Sequence, residues 1–240
     1  MNFIDKNSQW YPYQKVQVNN FNFEQYAMFP RFICDYLLDA PKGDYKPKDD
    51  NSYSRCRLWK YLYHDGAKPL NQKLPTIQEK LSVLFNPEKA TEPPTDKGYR
   101  LIPQSYIMEA QEAAQTRIYV YLGRAIAQQD DNTFCVSVIF DILTNYKYEL
   151  NTKADEYSRS GAIVAALVEA LNGVNITGIG TFSMSKRVHP DCGTRPIRDN
   201  NQNVGVELIM GLEMATTTDR EFTENTNMTF YNKSGTIRQV

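Results

Sequence analysis

The sequence predicts an α+β protein: a helical N-terminal part, then a strand-strand-helix-strand-strand sheet with one helix packed on it, and extended arms at both termini. Three observations predict this. Apolar residues recur at i, i+3 and i+4 as far as about residue 85. They alternate with period two from about residue 99. A single Ala- and Leu-rich run then separates two pairs of alternating segments, which is the order of a sheet with a helix laid on it. The divisions expected are 1–95 for the N-terminal arm and helical region, 96–216 for the α+β core, and 217–240 for the C-terminal arm.

Residues 1–23 are rich in Asn, Gln and aromatics, the composition of an arm lying on another surface. "FEQYAMFPRFICDYLLDA" puts Phe29, Phe32, Ile33, Tyr36 and Leu37 on one helical face, with Pro30 in the first turn. "SYSRCRLWKYLYHD" continues the pattern through Leu58, Trp59, Leu62 and Tyr63, with Ser52 or Ser54 as N-cap and Gly66 as stop. A third helix is expected at "TIQEKLSVLF", where Thr76 and Glu79 have capping-box spacing. The prolines of "NPEKATEPPTDKG" make it irregular and a natural boundary.

In "TRIYVYLGRAI", Ile118, Val120 and Leu122 share a face opposite Tyr119 and Tyr121. In "FCVSVIFDIL", Phe134, Val136, Val138, Phe140 and Ile142 lie opposite Cys135, Ser137, Ile139 and Asp141, and "QQDDNT" turns between the two runs. A helix is expected over about 155–172, with Glu156, Arg159 and Glu169 as its polar face. "ITGIGTFSMSKRV" and "VGVELIMGLEMAT" supply two further strands, joined by the polar loop "HPDCGTRPIRDNNQN". The second sets Val204, Val206, Leu208, Met210, Leu212 and Met214 opposite Glu207 and Glu213.

The candidate chemistry is sparse. "GAIVAALVEALNGVNITGIGT" is glycine-rich, but a phosphate cradle needs strand, then glycines, then the N-terminus of a helix. Here the helix comes first; Gly173 follows its last apolar residue, Leu171, as a left-handed cap, and no cofactor is expected. "HPDCG" brings His189, Asp191 and Cys192 together, yet the only other histidine is His64 and no finger spacing is present, so a plain loop is expected rather than a metal site. Cys192 with His189 as a nucleophile pair lacks any helix N-terminus to activate the thiol. No catalytic residue is therefore assigned, and an enzyme is not expected. Cys34, Cys56, Cys135 and Cys192 form no CxxC pair and read as reduced thiols of a protein made in cytoplasm. Carboxylate pairs such as Asp130 with Asp131 read as solvated turns.

Lys plus Arg number 27 against 28 Asp plus Glu, too balanced for a surface that grips nucleic acid by phosphate neutralisation. No 18-residue apolar window and no signal-like start is present, so no membrane contact is expected. Tyr is abundant, at 16 copies, without the interleaved cations that base stacking wants, which favours protein interfaces. The interface candidates are Trp10, Tyr11 and Tyr13 on the first arm, Arg195 and Arg198 on the polar loop, and Phe222, Phe230 and Tyr231 on the second arm.

At "RCRLWKYLYHDGAKPLNQKLPTIQEKLSVLFNP", and again at "TRIYVYLGRAI", "VSVIFDILTN" and "GVELIMGLEM", the sequence resembles virion proteins of tailed bacteriophages, particularly the neck and tail-barrel ring proteins of crAss-like phages, with a core like that of tail terminators. The likeness spans about residues 52 to 214 and carries no catalytic signature. It implies a structural protein of the virion neck or tail, assembled in the bacterial cytoplasm as a homo-oligomeric ring, twelve-fold or six-fold. Adjacent portal-side ring or tail proteins would be its neighbours, and genomic DNA a passing cargo. Glu207 with Glu213, or Arg195 with Arg198, would then be candidates to line the channel. The competing classes are a host- or glycan-binding accessory virion module, suggested by exposed aromatics, and a phage-encoded hydrolase.

Overall fold

The computed structural model describes residues 23–38, 50–66, 68–85, 98–105, 115–127, 133–149, 158–176, 179–199, 203–215, 229–231 and 237–239. A 3-10 turn over Phe23–Met28 opens into α1 (Phe29–Leu38), followed by α2 (Asp50–Tyr63) and α3 (Ile77–Ser82). The strands β1 (Leu101–Ile102), β2 (Thr116–Ala127) and β3 (Thr133–Asn145) precede α4 (Tyr146–Glu149) and α5 (Arg159–Leu171). Then come β4 (Asn175–Ile176), β5 (Gly180–Ser183), β6 (Gly193–Asp199) and β7 (Asn203–Ala215), with β8 (Thr229–Tyr231) and β9 (Ile237–Gln239) in the C-terminal region. The class is α+β, as the change of period predicts.

The helices form for local reasons. Pro30 occupies the first turn of α1, where its missing N–H has no partner to lose, and Phe29, Ile33, Leu37 and Leu38 are buried along one stripe. The Thr76 hydroxyl accepts from the Glu79 N–H at 3.3 Å while Glu79 Oε2 accepts from the Thr76 N–H at 2.7 Å, the reciprocal box that starts α3. Ser158 caps α5 by accepting from the Gly161 N–H at 3.0 Å, and the Glu149 carboxylate receives the N–H and hydroxyl of Ser160 at 2.9 and 2.6 Å. Gly173 ends the helix with φ +77, the left-handed conformation that glycine adopts without a Cβ clash, and its N–H donates to Phe182 O. That bond ties the helix end to β5.

Seven strands form one sheet in the order β1-β2-β3-β7-β5-β4, with β6 also on β7. The β2–β3 and β3–β7 pairs are antiparallel, the latter unbroken from Thr133↔Ala215 to Asn145↔Asn203. β5 and β6 share the far side of β7, β6 along Asn203–Ile209 and β5 along Gly211–Glu213. Gly180, at φ +134, lies so close to Glu213 O that a Cβ there would collide with it.

α1 packs on β2, α2 on α5 and α5 on β3 and β7, so the helices cover one face of the sheet. The face facing them carries Ile118, Val120, Val136, Val138, Phe140, Ile142, Leu208, Met210 and Leu212, all fully buried, beneath Ile163, Ala166, Leu167 and Trp59. Each such side chain contributes roughly 1.5–3 kcal/mol by burial. The small Ala166 and Ala170 let α5 approach the sheet closely.

Four expectations are corrected. α2 begins at Asp50, so Ser52 and Ser54 lie inside the helix rather than at its cap, and the Ser54 hydroxyl donates to Glu169 of α5 at 2.8 Å. Arg159 is no part of a polar face: it is wholly buried, drawn inward by backbone carbonyls at the end of α2. "ITGIGTFSMSKRV" breaks into β4, β5 and a turn. The polar stretch after Cys192 is a strand, β6, whose pairing along β7 substitutes for the apolar alternation it lacks. Residues 1–22 and the proline-rich segment 86–97 lie outside the described residues.

Candidate functional site

The face of the sheet turned away from the helices gathers the polar side chains that could act. Along β7 the sequence alternates Gly205, Glu207, Ile209, Gly211 and Glu213 onto this face, and the register brings Leu143, Asp141, Ile139, Ser137 and Cys135 of β3 beside them.

One end of this face is strapped by the segment containing His189, Asp191 and Cys192. His189 is completely buried; its Nε2–H donates to Arg124 O of β2 at 3.0 Å, and Nδ1 accepts from the Asp191 N–H at 3.3 Å. Those two bonds fix the tautomer and occupy both ring nitrogens. Cys192 is buried, its thiol pushed up by burial, with Sγ 3.7 Å from Ser183 O. Gly211 makes the room: a Cβ there would stand 2.9 Å from Val188 Cγ1, 3.1 Å from His189 Cβ and 3.3 Å from Cys192 Sγ. The three residues of the supposed metal or nucleophile cluster thus clasp a loop to the sheet, with only a long 3.8 Å approach between His189 Nδ1 and Asp191. Among the described residues no group of three or more His, Cys, Asp or Glu side chains could hold a metal ion. All four cysteines are buried.

The middle of the same face holds a polar row that sequence reasoning missed as a unit. Tyr119, Asp141, Glu207 and Arg195 are register partners across β2, β3, β7 and β6. The Tyr121 hydroxyl donates to Asp141 Oδ2 at 2.8 Å, and Arg195 Nε lies 3.5 Å from Glu207 Oε1. Burial raises the Asp141 carboxyl, the Tyr121 bond opposes the rise, and the Glu207 charge adds to it. The Tyr121 phenol is raised too, by burial first and then by Asp141. The signal in the sequence was the single carboxylate inside the apolar run "VSVIFDIL".

The interface candidates are dispersed. Arg195 stands on β6 with its side chain 65% exposed, and Arg198 lies on the same strand opposite Val204. Both therefore sit on an edge strand, not on the loop the sequence suggested. Phe230 and Tyr231 belong to β8, opposite Arg238 and Ile237 of β9. Trp10, Tyr11, Tyr13 and Phe222 lie outside the described residues.

Fold and site define an α+β scaffold with one helical face and one strapped, polar face. A model of the YomW family matches residues 56–211, from within α2 to within β7 and more than half of the chain. The chain belongs to the YomW family, a Bacillus phage-derived family, and is a phage-associated protein. No curated protein and no solved structure matches it. No helix among the described residues is long and apolar enough to cross a membrane.

Proposed function

We propose that the protein is a structural component of the virion of a tailed phage, closing into a homo-oligomeric ring in the neck or tail around the DNA channel. The observation that carries this is a long sheet that ends on each side, among the described residues, in an edge with no further strand on it. On one side, β2 beyond its short pairing with β1 runs from Tyr121 to Ala127 with no further strand among the described residues. On the other, β6 exposes Thr194, Arg195 and Pro196. Two different edges on opposite sides suit head-to-tail contacts between copies, and such contacts close into rings when the rotation per subunit allows it.

Pro196 removes one N–H from the β6 edge, which discourages indiscriminate strand addition and leaves recognition to side chains such as Arg195. The near-neutral charge suits a conduit that lets DNA pass without gripping it. The terminal arms, carrying Trp10, Tyr11, Tyr13, Phe222, Phe230 and Tyr231, reach to the next copy or to adjacent virion proteins. Deleting residues 219–240 tests this reading: assembly is lost while the sheet-and-helix core stays folded by circular dichroism. Normal assembly of the truncated chain would refute the arm contact.

A further inference from the structure

The polar row on the strapped face contains a feature that ring assembly does not require. Asp141 and Glu207 are direct partners across the β3–β7 pair, which brings their Cβ atoms to within about 4.5–5.5 Å of each other. Asp141 is only 5% exposed. Its Oδ2 is taken by the Tyr121 hydroxyl, but Oδ1 is buried with no hydrogen-bond partner, and so is Glu207 Oε1. An orphaned carboxylate oxygen in a buried place is unfavourable, and a second anion beside it on the neighbouring strand makes it more so. A proton on Asp141 would remove one of the two charges.

We propose that Asp141, set beside Glu207, forms a proton-binding site, with the proton carried on Asp141 Oδ1. The neighbours decide which carboxyl carries it. Arg195 Nε stands 3.5 Å from Glu207 Oε1, without hydrogen-bond geometry, so Glu207 has a cation beside it. Among the described residues no cation is paired with Asp141, whose partner from β2 is the neutral Tyr121 hydroxyl. Tyr119 is its register partner on the same strand, and Arg117, one alternation further, bonds to Gln115. Burial, the largest cause, raises the Asp141 carboxyl in the direction this site requires. Glu207 also contacts the edge strand through Arg195, so the protonation state of the pair is felt at β6.

The test is carboxyl-carbon NMR of the full-length protein across pH, with Asp141 assigned through the backbone so that its own titration is read without a variant. The Asp141 side-chain carboxyl is expected to titrate above the ordinary carboxylate range, about 4. Glu207→Gln is expected to lower its midpoint, by removing the neighbouring charge. Tyr121→Phe is expected to raise it further, by removing the bond that favours the anion. An Asp141 that titrates in the ordinary range, or a midpoint indifferent to Glu207→Gln, would overturn the proposal.

Discussion

The guanidinium of Arg159, wholly buried at the start of α5, donates to the carbonyl of His64 at 2.7 Å. It also donates to Gly66 O at 2.6 Å and, more weakly, to Tyr61 O at 3.4 Å. Arg100, equally buried, approaches the same helix end from another side, bonding Leu62 O at 3.1 Å and both oxygens of Asp65 at 2.6 Å. The carbonyls of Tyr61 and Leu62 in the last turn of α2, and of His64 and Gly66 just beyond it, thereby accept from charged donors at the favourable end of the helix dipole.

Arg159→Leu should therefore destabilise the protein by about 1–3 kcal/mol, because three carbonyls lose their charged donor at once. Arg159→Lys should recover little, since one ammonium cannot span carbonyls that the planar fork reaches together. Urea unfolding of the two variants checks both expectations; a change within about 0.5 kcal/mol would mean the contact is incidental.

Asp35 predicts a pH dependence. Burial raises its carboxyl to about 7, against the opposing pull of Arg31, whose Nε lies 3.3 Å from Oδ1. A folded-state value above the unfolded one means that the folded protein binds the proton more tightly. The stability is complete below the ordinary carboxylate range, about 4, and is lost as pH rises through about 7. Asp35→Asn should flatten that decline, by an amount on the order of a few kcal/mol. Thermal unfolding of both proteins between these pH limits reads it, and an unchanged slope in Asp35→Asn would show that another group is responsible.

The glycine under the strap gives a third expectation. In Gly211→Val the added carbons meet Val188, His189 and Cys192, so the loop must lift or the sheet must yield, at a cost of about 1–3 kcal/mol. Cys192, now buried, should then react faster with a thiol reagent in the native protein. Labelling followed by mass spectrometry identifies the site, and unaltered labelling of Cys192 would mean that the loop is not held against Gly211.

Thr76→Ala should weaken α3 by about 1 kcal/mol, by removing the hydroxyl half of its capping box. Denaturant unfolding measures it; a neutral outcome would mean that Glu79 alone caps the helix.

What the sequence made legible was local. The stripe of Phe29, Ile33 and Leu37, the Thr76–Glu79 box, the alternation of β2, β3 and β7, and Gly173 as the stop of α5 each rest on neighbours within a few residues. The misreadings were made by distant partners. β6 shows no apolar alternation because it is an edge with Thr194, Arg195 and Pro196 exposed, and only β7 reveals it as a strand. Arg159 looks like a solvated charge until the end of α2 supplies its carbonyls. Asp141 and Glu207 were each visible in their strands, but their pairing depends on the β3–β7 register, which neither strand encodes alone.

The central claim, assembly into a ring, is tested most directly by analytical ultracentrifugation of the purified full-length protein with negative-stain microscopy of the same sample. A single closed oligomer with an open centre is the expected result. A monomer at every concentration reached, with no rings in the images, would contradict it.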